Sequence, residues 1–229
     1  DIFFMKLISV VINTLNEEAN LPDCLESVRW ADEVIVVDMH STDGTVSIAE
    51  EFGCRVFQHE RMGYVEPARN FAIAQATASW VLVLDADERA SASLAEWIKH
   101  NLAASDASAF RIPRRNFYRD TWVTCCGWFP DEQVRLLRRD KARYSDRIHR
   151  APEIDGEIES LPLNGEACLL HYAFADLTSR IEKNNLYSSI AARSMAEEGK
   201  RIGVGGLLGR TMHSFIVAYI FQKGYRFGM

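Results

Sequence analysis

The 229-residue sequence lacks any long hydrophobic run: its uninterrupted apolar stretches reach about seven residues, as in Phe215 to Phe221, against the roughly 20 that a membrane-spanning helix needs. This patterning predicts no transmembrane helix. A secretory signal is missing too, since no basic segment leads into an apolar one with a small-residue cleavage site, and Met5-Lys6 reads as a natural start. The last residues, Phe227-Gly228-Met229, form no clear stop, as in an incomplete piece of a longer chain. Cysteine is scarce and odd in number: there are five, with Cys125 and Cys126 adjacent, and their spacing suits neither a zinc site nor a disulfide framework. A reducing cytoplasm fits best, and the adjacent pair reads as two buried small side chains without a function. Internal repeats and low-complexity linkers are also absent.

What is present is a globular composition. With 48% hydrophobic and 25% charged residues the chain cannot be wholly disordered, and its length suits one large domain or two small ones. The net charge of -6 is unevenly spread: residues 1–110 carry 7 basic and 18 acidic side chains, residues 111–229 carry 19 and 14. The two halves therefore face different partners. From Gly199 onward there are five basic residues and no acid, interleaved with apolar ones, a pattern suited to a polyanion, to an anionic membrane surface, or simply to solvent.

Residues 1–110 alternate short β-branched runs with helix signals. Leu7–Ile12, Val34–Val37 and Trp80–Leu84 are almost continuously apolar, as strands buried on both faces are. Asn20 followed by Pro22 starts one helix, Thr42 to Gly53 holds a second, and Ser91 caps a third through Leu94, Trp97 and Ile98. Such alternation predicts βαβ units on a parallel sheet. Beyond residue 110, strands are expected at 109–112, 133–138 and 167–170, followed by a helix from about Asp176 to Glu198 that Gly199 stops. The expected organisation is a first region over 1–110, a mixed region over 111–175 and a helical extension over 176–229.

Ligands of open parallel sheets bind beyond the carboxyl ends of the strands, which here are polar: Asn13 to Glu18, Asp38 to Thr45, and Asp85-Ala86-Asp87-Glu88. Asp85 and Asp87, two residues apart, share a side if the strand continues, and two hard oxygen ligands suit Mg²⁺ or Mn²⁺; a solvated acidic turn is the plainer alternative. Asp38 is placed to accept from a base or ribose, or to cap the next helix, a task that Thr42 or Asp43 could also do. Arg69, near a helix start, suits phosphate or a base, or the surface. With no G-x-x-x-x-G-K-[ST], and glycines 203, 205, 206 and 209 following a helix rather than a strand, diphosphate binding would rely on a metal.

Taken together, Val10 to Leu21, Val36-Val37-Asp38 with Ser41 to Thr45, Ala68-Arg69-Asn70 and Leu84 to Glu88 resemble family 2 of the inverting glycosyltransferases, in that order along residues 7–88. Pro113 to Asn116 and Gly127-Trp128-Phe129-Pro130-Asp131 through Val134-Arg135-Leu136 extend the likeness to the bacterial branch that contains lipopolysaccharide core β-glucosyltransferases. The resemblance implies a GT-A nucleotide-diphospho-sugar fold, α/β with a mostly parallel Rossmann-like sheet flanked by helices. The first region becomes the donor-binding part and the second the acceptor side. Thr14, Glu17 and Asp38 would hold base and ribose with Arg69 nearby, Asp85 would bind ribose or metal, and Asp87 the metal. Asp131 is the best match to the catalytic base, with Glu132 and Asp120 as rivals.

The implied activity is inverting transfer of a hexose, glucose from UDP-glucose, to a hydroxyl of a lipid-linked saccharide such as lipopolysaccharide inner core, on the cytoplasmic face of the membrane. Seven basic residues in Arg135–Arg150 form a solvated face or recognise phosphorylated saccharide. His149 and His171 are site candidates or structural hydrogen-bonders. Leu208, Met212, Phe215, Ile216 and Tyr219, at helical spacing beside Arg210, Lys223 and Arg226, fit a helix on an anionic membrane, or packing on the domain or a second subunit. A nucleotidyltransferase is disfavoured because Asn13 to Glu18 contains neither glycine nor base. A non-catalytic membrane-surface module is disfavoured by the three carboxylates, and nucleic-acid binding by the lack of a recognised fold for it.

Overall fold

The computed structural model describes residues 7–61, 66–145, 151–174 and 203–227, with isolated positions between 181 and 199. In chain order the elements are β1 (Ile8–Thr14), α1 (Leu21–Glu26), β2 (Glu33–Asp38), α2 (Thr45–Glu51), β3 (Arg55–Gln58), α3 (Glu66–Gln75), β4 (Trp80–Asp85), β5 (Glu88–Ala90), α4 (Ala92–Asn101), β6 (Ala109–Tyr118), β7 (Thr121–Trp122), β8 (Glu132–Arg138), β9 (Ala142–Arg143), β10 (Glu153–Ile154), β11 (Ile158–Ser160), β12 (Leu169–Phe174) and α5 (Val204–Ile216). The chain divides into two compact units, residues 1–114 with 132–171, and residues 115–131 with 172–229. Strands β6 and β12 pass from one into the other.

In the first unit, β3, β2, β1 and β4 lie side by side and parallel, and β8 then runs antiparallel to β4, followed by β6 antiparallel to β8. The order of the first four strands follows from right-handed crossovers on either side of β1. Every residue of β1 is buried, which explains its unbroken apolar run. Val10, Ile12, Leu82 and Leu84 pack on one face with Leu21, Leu25, Leu94 and Ile98 from α1 and α4. Val11, Ile35, Val37 and Val83 pack on the other with Ala68, Ala72 and Ile73 from α3. The expected helical flanks on a mostly parallel sheet are thus observed. Ser91 caps α4 as expected, its Oγ accepting from Leu94 N–H at 3.1 Å. Gly44 is the N-cap of α2, while Asp43 accepts from the Thr45 N–H. Strands β3, β5, β7, β9, β10 and β11 had no sequence signal.

The second unit contains the β6–β7 hairpin, the turn from Thr124 to Asp131 and α5. Most of the helix expected over 176–198 lies outside the described residues. Helix α5 continues through a π turn at Val217–Phe221, and none of its residues is buried. Val204, Leu207, Leu208, Met212, Phe215 and Ile216 make one exposed apolar face, while Gly209, Arg210, His213 and Ser214 lie opposite. Contrary to the expectation drawn from run length, Val204–Phe221 has 18 residues of mean hydropathy 1.3, long and apolar enough by those criteria to cross a membrane. Glycines and isolated polar residues break its runs without making the whole segment polar.

Candidate active site

The strand order reverses direction beside β1, between β2 on one side and β4 on the other, and at such a switch point the loops diverge to leave a crevice. The register sets the carboxyl ends level: Thr14 pairs with Asp38 across β1 and β2, and Asn13 with Asp85 across β1 and β4. Each candidate donor-site residue then follows from its strand end. Asp38 is fully buried; its Oδ1 accepts from the Thr14 hydroxyl at 3.2 Å, and its Oδ2 from the Ser41 N–H at 2.9 Å. The Glu17 N–H donates to Thr45 Oγ1 at 2.8 Å, and its Oε2 accepts from Asn20 Nδ2 at 2.8 Å. These bonds fix the loop after β1 against the start of α2.

Asp85 is the centre of an ionic network. Its Oδ1 takes a 2.7 Å bond from Arg69 at the start of α3, and its Oδ2 one from Arg135 on β8. Arg135 also reaches Glu88 Oε1 at 3.1 Å, Arg114 reaches the same oxygen at 2.9 Å, and Glu88 Oε2 accepts from the Asp85 N–H at 3.1 Å. Glu88 is fully buried, and Arg135 nearly so. Burial alone would raise the Asp85 pKa, but the guanidiniums of Arg135 and Arg69 outweigh it and hold the carboxyl far below the usual carboxylate range. Arg135 is in turn held charged by Asp85 and Glu88, against the cost of its burial. Neither Arg135 nor Glu88 was among the expected site residues.

His171, on β12 where it pairs with β5, places Nε2 3.6 Å from Asp87 Oδ1. His149 lies outside the described residues. No group of three or more His, Cys, Asp or Glu side chains gathers to hold a metal among the described residues. The carboxylate and imidazole together still fit a divalent ion that completes its shell with water and diphosphate oxygens. Three further polar groups are buried here without a hydrogen-bond partner among the described residues: the Asn13 amide and the Nε atoms of Arg69 and Arg135.

Asp131 belongs to the second unit, where Asn116 Nδ2 donates to its Oδ2 at 2.8 Å and to the Trp128 carbonyl at 2.9 Å. Its rivals, Glu132 and Asp120, are exposed.

Residues 9–149 match Glycosyl transferase family 2. The chain belongs to that family and is a glycosyltransferase. A lipopolysaccharide core biosynthesis glycosyltransferase, LpsC of Rhizobium meliloti, is 32% identical over 85% of this chain and 73% of its own length. An uncharacterised glycosyltransferase of Rickettsia typhi is 30% identical over 98% of this chain and 80% of its own. Among solved structures, S. aureus TarS 1-349 has a TM-score of 0.56 at 19% identity, over 73% of this chain. The match spans 60% of the TarS chain, so that likeness speaks for the GT-A type fold alone. The fold expected from the four motifs is therefore confirmed, and so is the family.

Proposed function

We propose that this glycosyltransferase moves glucose from UDP-glucose to a hydroxyl of a lipid-linked saccharide such as lipopolysaccharide inner core, inverting the anomeric centre, at the cytoplasmic face of an anionic membrane. The observation that carries the reading is the pair of buried guanidiniums, Arg69 and Arg135, held at the crevice by Asp85. Positive charge fixed there before the reaction lowers the cost of the negative charge that develops on a leaving nucleoside diphosphate. The Nε of each arginine remains as a further donor. Thr14, Glu17 and Asp38, with the Asn13 amide beside them, take the base and ribose, and Asp85 orients both arginines.

Mg²⁺ or Mn²⁺, held by Asp87 with His171, would add positive charge against the same leaving group. Although Asp85 was expected as a second ligand, both of its oxygens already serve arginines, and we keep it at the ribose and the guanidiniums. Asp131 is the base that takes the proton from the acceptor hydroxyl, with Asn116 orienting its carboxylate. The LpsC likeness supports the acceptor class. The exposed apolar face of α5, with Arg210 on its polar side and Lys223 beyond its end, supports a membrane surface as partner.

Thermal unfolding against UDP, GDP, ADP, CMP and their sugar conjugates, with and without Mn²⁺, tests the donor reading. A ligand at about 100 times its dissociation constant stabilises by roughly 2.7 kcal/mol. The expected result is a metal-dependent shift with uridine nucleotides that Asp87→Ala abolishes. A shift with another nucleotide would replace the donor, and silence across the panel would remove the donor site.

A further inference from the structure

Successive side chains of an extended chain point to opposite sides, so adjacent cysteines ordinarily keep their sulfurs apart. At Cys125 and Cys126 they meet. Cys126 has φ +56° and Gly127 φ +76°, a left-handed pair that turns the chain back and brings the two Sγ atoms to 3.3 Å. Both thiols are free. Since a disulfide bond is about 2.05 Å long, closing this gap takes a movement of roughly 1.3 Å. Cys125 borders a cavity of about 480 Å³ whose walls include Thr124, Gly127, Phe129, Phe221, Gln222 and Lys223, which gives a small reagent room next to this turn.

The turn that carries the thiols is wired to the proposed base within the same unit. The Cys126 N–H donates to the Gln222 carbonyl at 3.3 Å, and its thiol lies 3.8 Å from the Ala218 carbonyl. The Cys125 carbonyl accepts from the Trp128 N–H at 3.0 Å. Trp128 offers its own carbonyl to Asn116, and the same Asn116 amide holds Asp131. Gly224 packs so closely that a Cβ there would stand 2.9 Å from Cys126 Sγ, so a side chain at 224 would crowd the thiol.

We propose that Cys125 and Cys126 are an oxidisable dithiol, a reversible modification site whose closure to an eight-membered cyclic disulfide displaces the turn that positions Asp131. The oxidant is a small-molecule disulfide. The thiolate of Cys126, the more exposed of the two, attacks one sulfur and releases one thiol; the thiolate of Cys125 then attacks Cys126 Sγ and releases the second. Two cysteine thiols become one disulfide, the reagent disulfide becomes two thiols, and the two protons pass to the released thiolates. Adjacent Cα atoms stand about 3.8 Å apart, below the usual span of a disulfide, so the ring is readily reduced and acts as a switch rather than a staple. The effect on sugar transfer rests on Asp131 being the base; ring closure does not.

The experiment treats the full chain with glutathione disulfide and follows the tryptic peptide Asp120–Arg135, which contains only this cysteine pair. The expected product is lighter by two hydrogens, carries no glutathione and reverts with a dithiol reductant, while Cys126→Ser and Cys125→Ser each stop at a mixed disulfide or do not react. Amide hydrogen exchange at Trp128–Asp131 should change on oxidation and return on reduction. Transfer should fall about 100-fold, the scale of a 1 Å misplacement, with nucleotide binding retained. A stable glutathione adduct or no reaction in the native chain overturns the dithiol, and ring closure with unchanged exchange overturns its link to Asp131. Absence of transfer in both redox states counts against the glucosyl reading alone, because mass and exchange decide the thiol pair.

Discussion

The two units handle their costly groups in opposite ways. In the first, charged side chains are buried and paired: Asp85, Glu88, Arg69, Arg114 and Arg135 share four ion pairs at the strand ends. In the second, apolar side chains that would ordinarily be buried stand exposed along α5. Burying ions is often no net gain in stability over burying hydrocarbon, so the first arrangement points to what those charges do for a ligand. Exposing a continuous apolar face likewise points outward, to a surface that the unit meets. One unit is preorganised inside itself, and the other presents an apolar face that the proposed membrane would cover.

The comparison breaks most severely at the proposed base, Asp131. Asp131→Asn should leave nucleotide binding intact and lower transfer by roughly 10²–10⁴-fold, the usual contribution of a positioned acid or base, as measured by single-turnover assay. Persistence of transfer would move the base elsewhere. In the first unit, Arg135→Ala leaves Asp85 and Glu88 buried with one cation fewer, and should cost about 3–5 kcal/mol of stability by denaturant unfolding. A loss below 1 kcal/mol would mean the network is not the enclosed centre described above.

Acid sharpens the same contrast. The folded-state pKa of Asp85 is depressed, so its contribution to stability is full above the ordinary carboxylate value of about 4 and diminishes as the pH falls below it toward the folded value. Denaturation midpoints measured between pH 7 and pH 2 should fall along that window, with a smaller fall in Asp85→Asn. Ser91→Ala, which removes the α4 cap, should cost about 1 kcal/mol. Smallest in stability is Phe215→Ser on the exposed face, within about 0.5 kcal/mol by melting. The same variant should bind anionic vesicles more weakly in a sedimentation assay, and equal binding would remove α5 as the membrane face.

The parallel core was legible because β1, β2 and β4 are buried on both faces and so carry unbroken apolar runs. Strand β3 was not, since Arg55–Gln58 is half-buried at the sheet edge with polar residues at both ends. Thr14, Asp38, Arg69 and Asp85 could be read from their places after strands or at a helix start. Glu88 looked like the tail of an acidic turn. Arg135 was counted within a basic run and read as solvated or acceptor-facing, although its neighbours Val134, Leu136 and Leu137 form a buried strand. A lone arginine inside an apolar strand demands a buried anion, and that signal was there to be used. The convergence of Cys125 and Cys126 had none, because it depends on a left-handed turn at a non-glycine residue.

The α5 helix has a consequence for how it meets its surface. Its 13 residues include Gly205, Gly206 and Gly209, each costing about 1 kcal/mol of helix propensity relative to alanine. Isolated helices of that length are marginal in water even for alanine-rich sequences. On the proposed membrane reading, folding of this segment and its adsorption are a single linked equilibrium: lipid covering the apolar face would also supply the free energy that winds it. Replacing the three glycines by alanine would tighten membrane affinity without adding one contact, by removing an ordering cost that the natural sequence keeps.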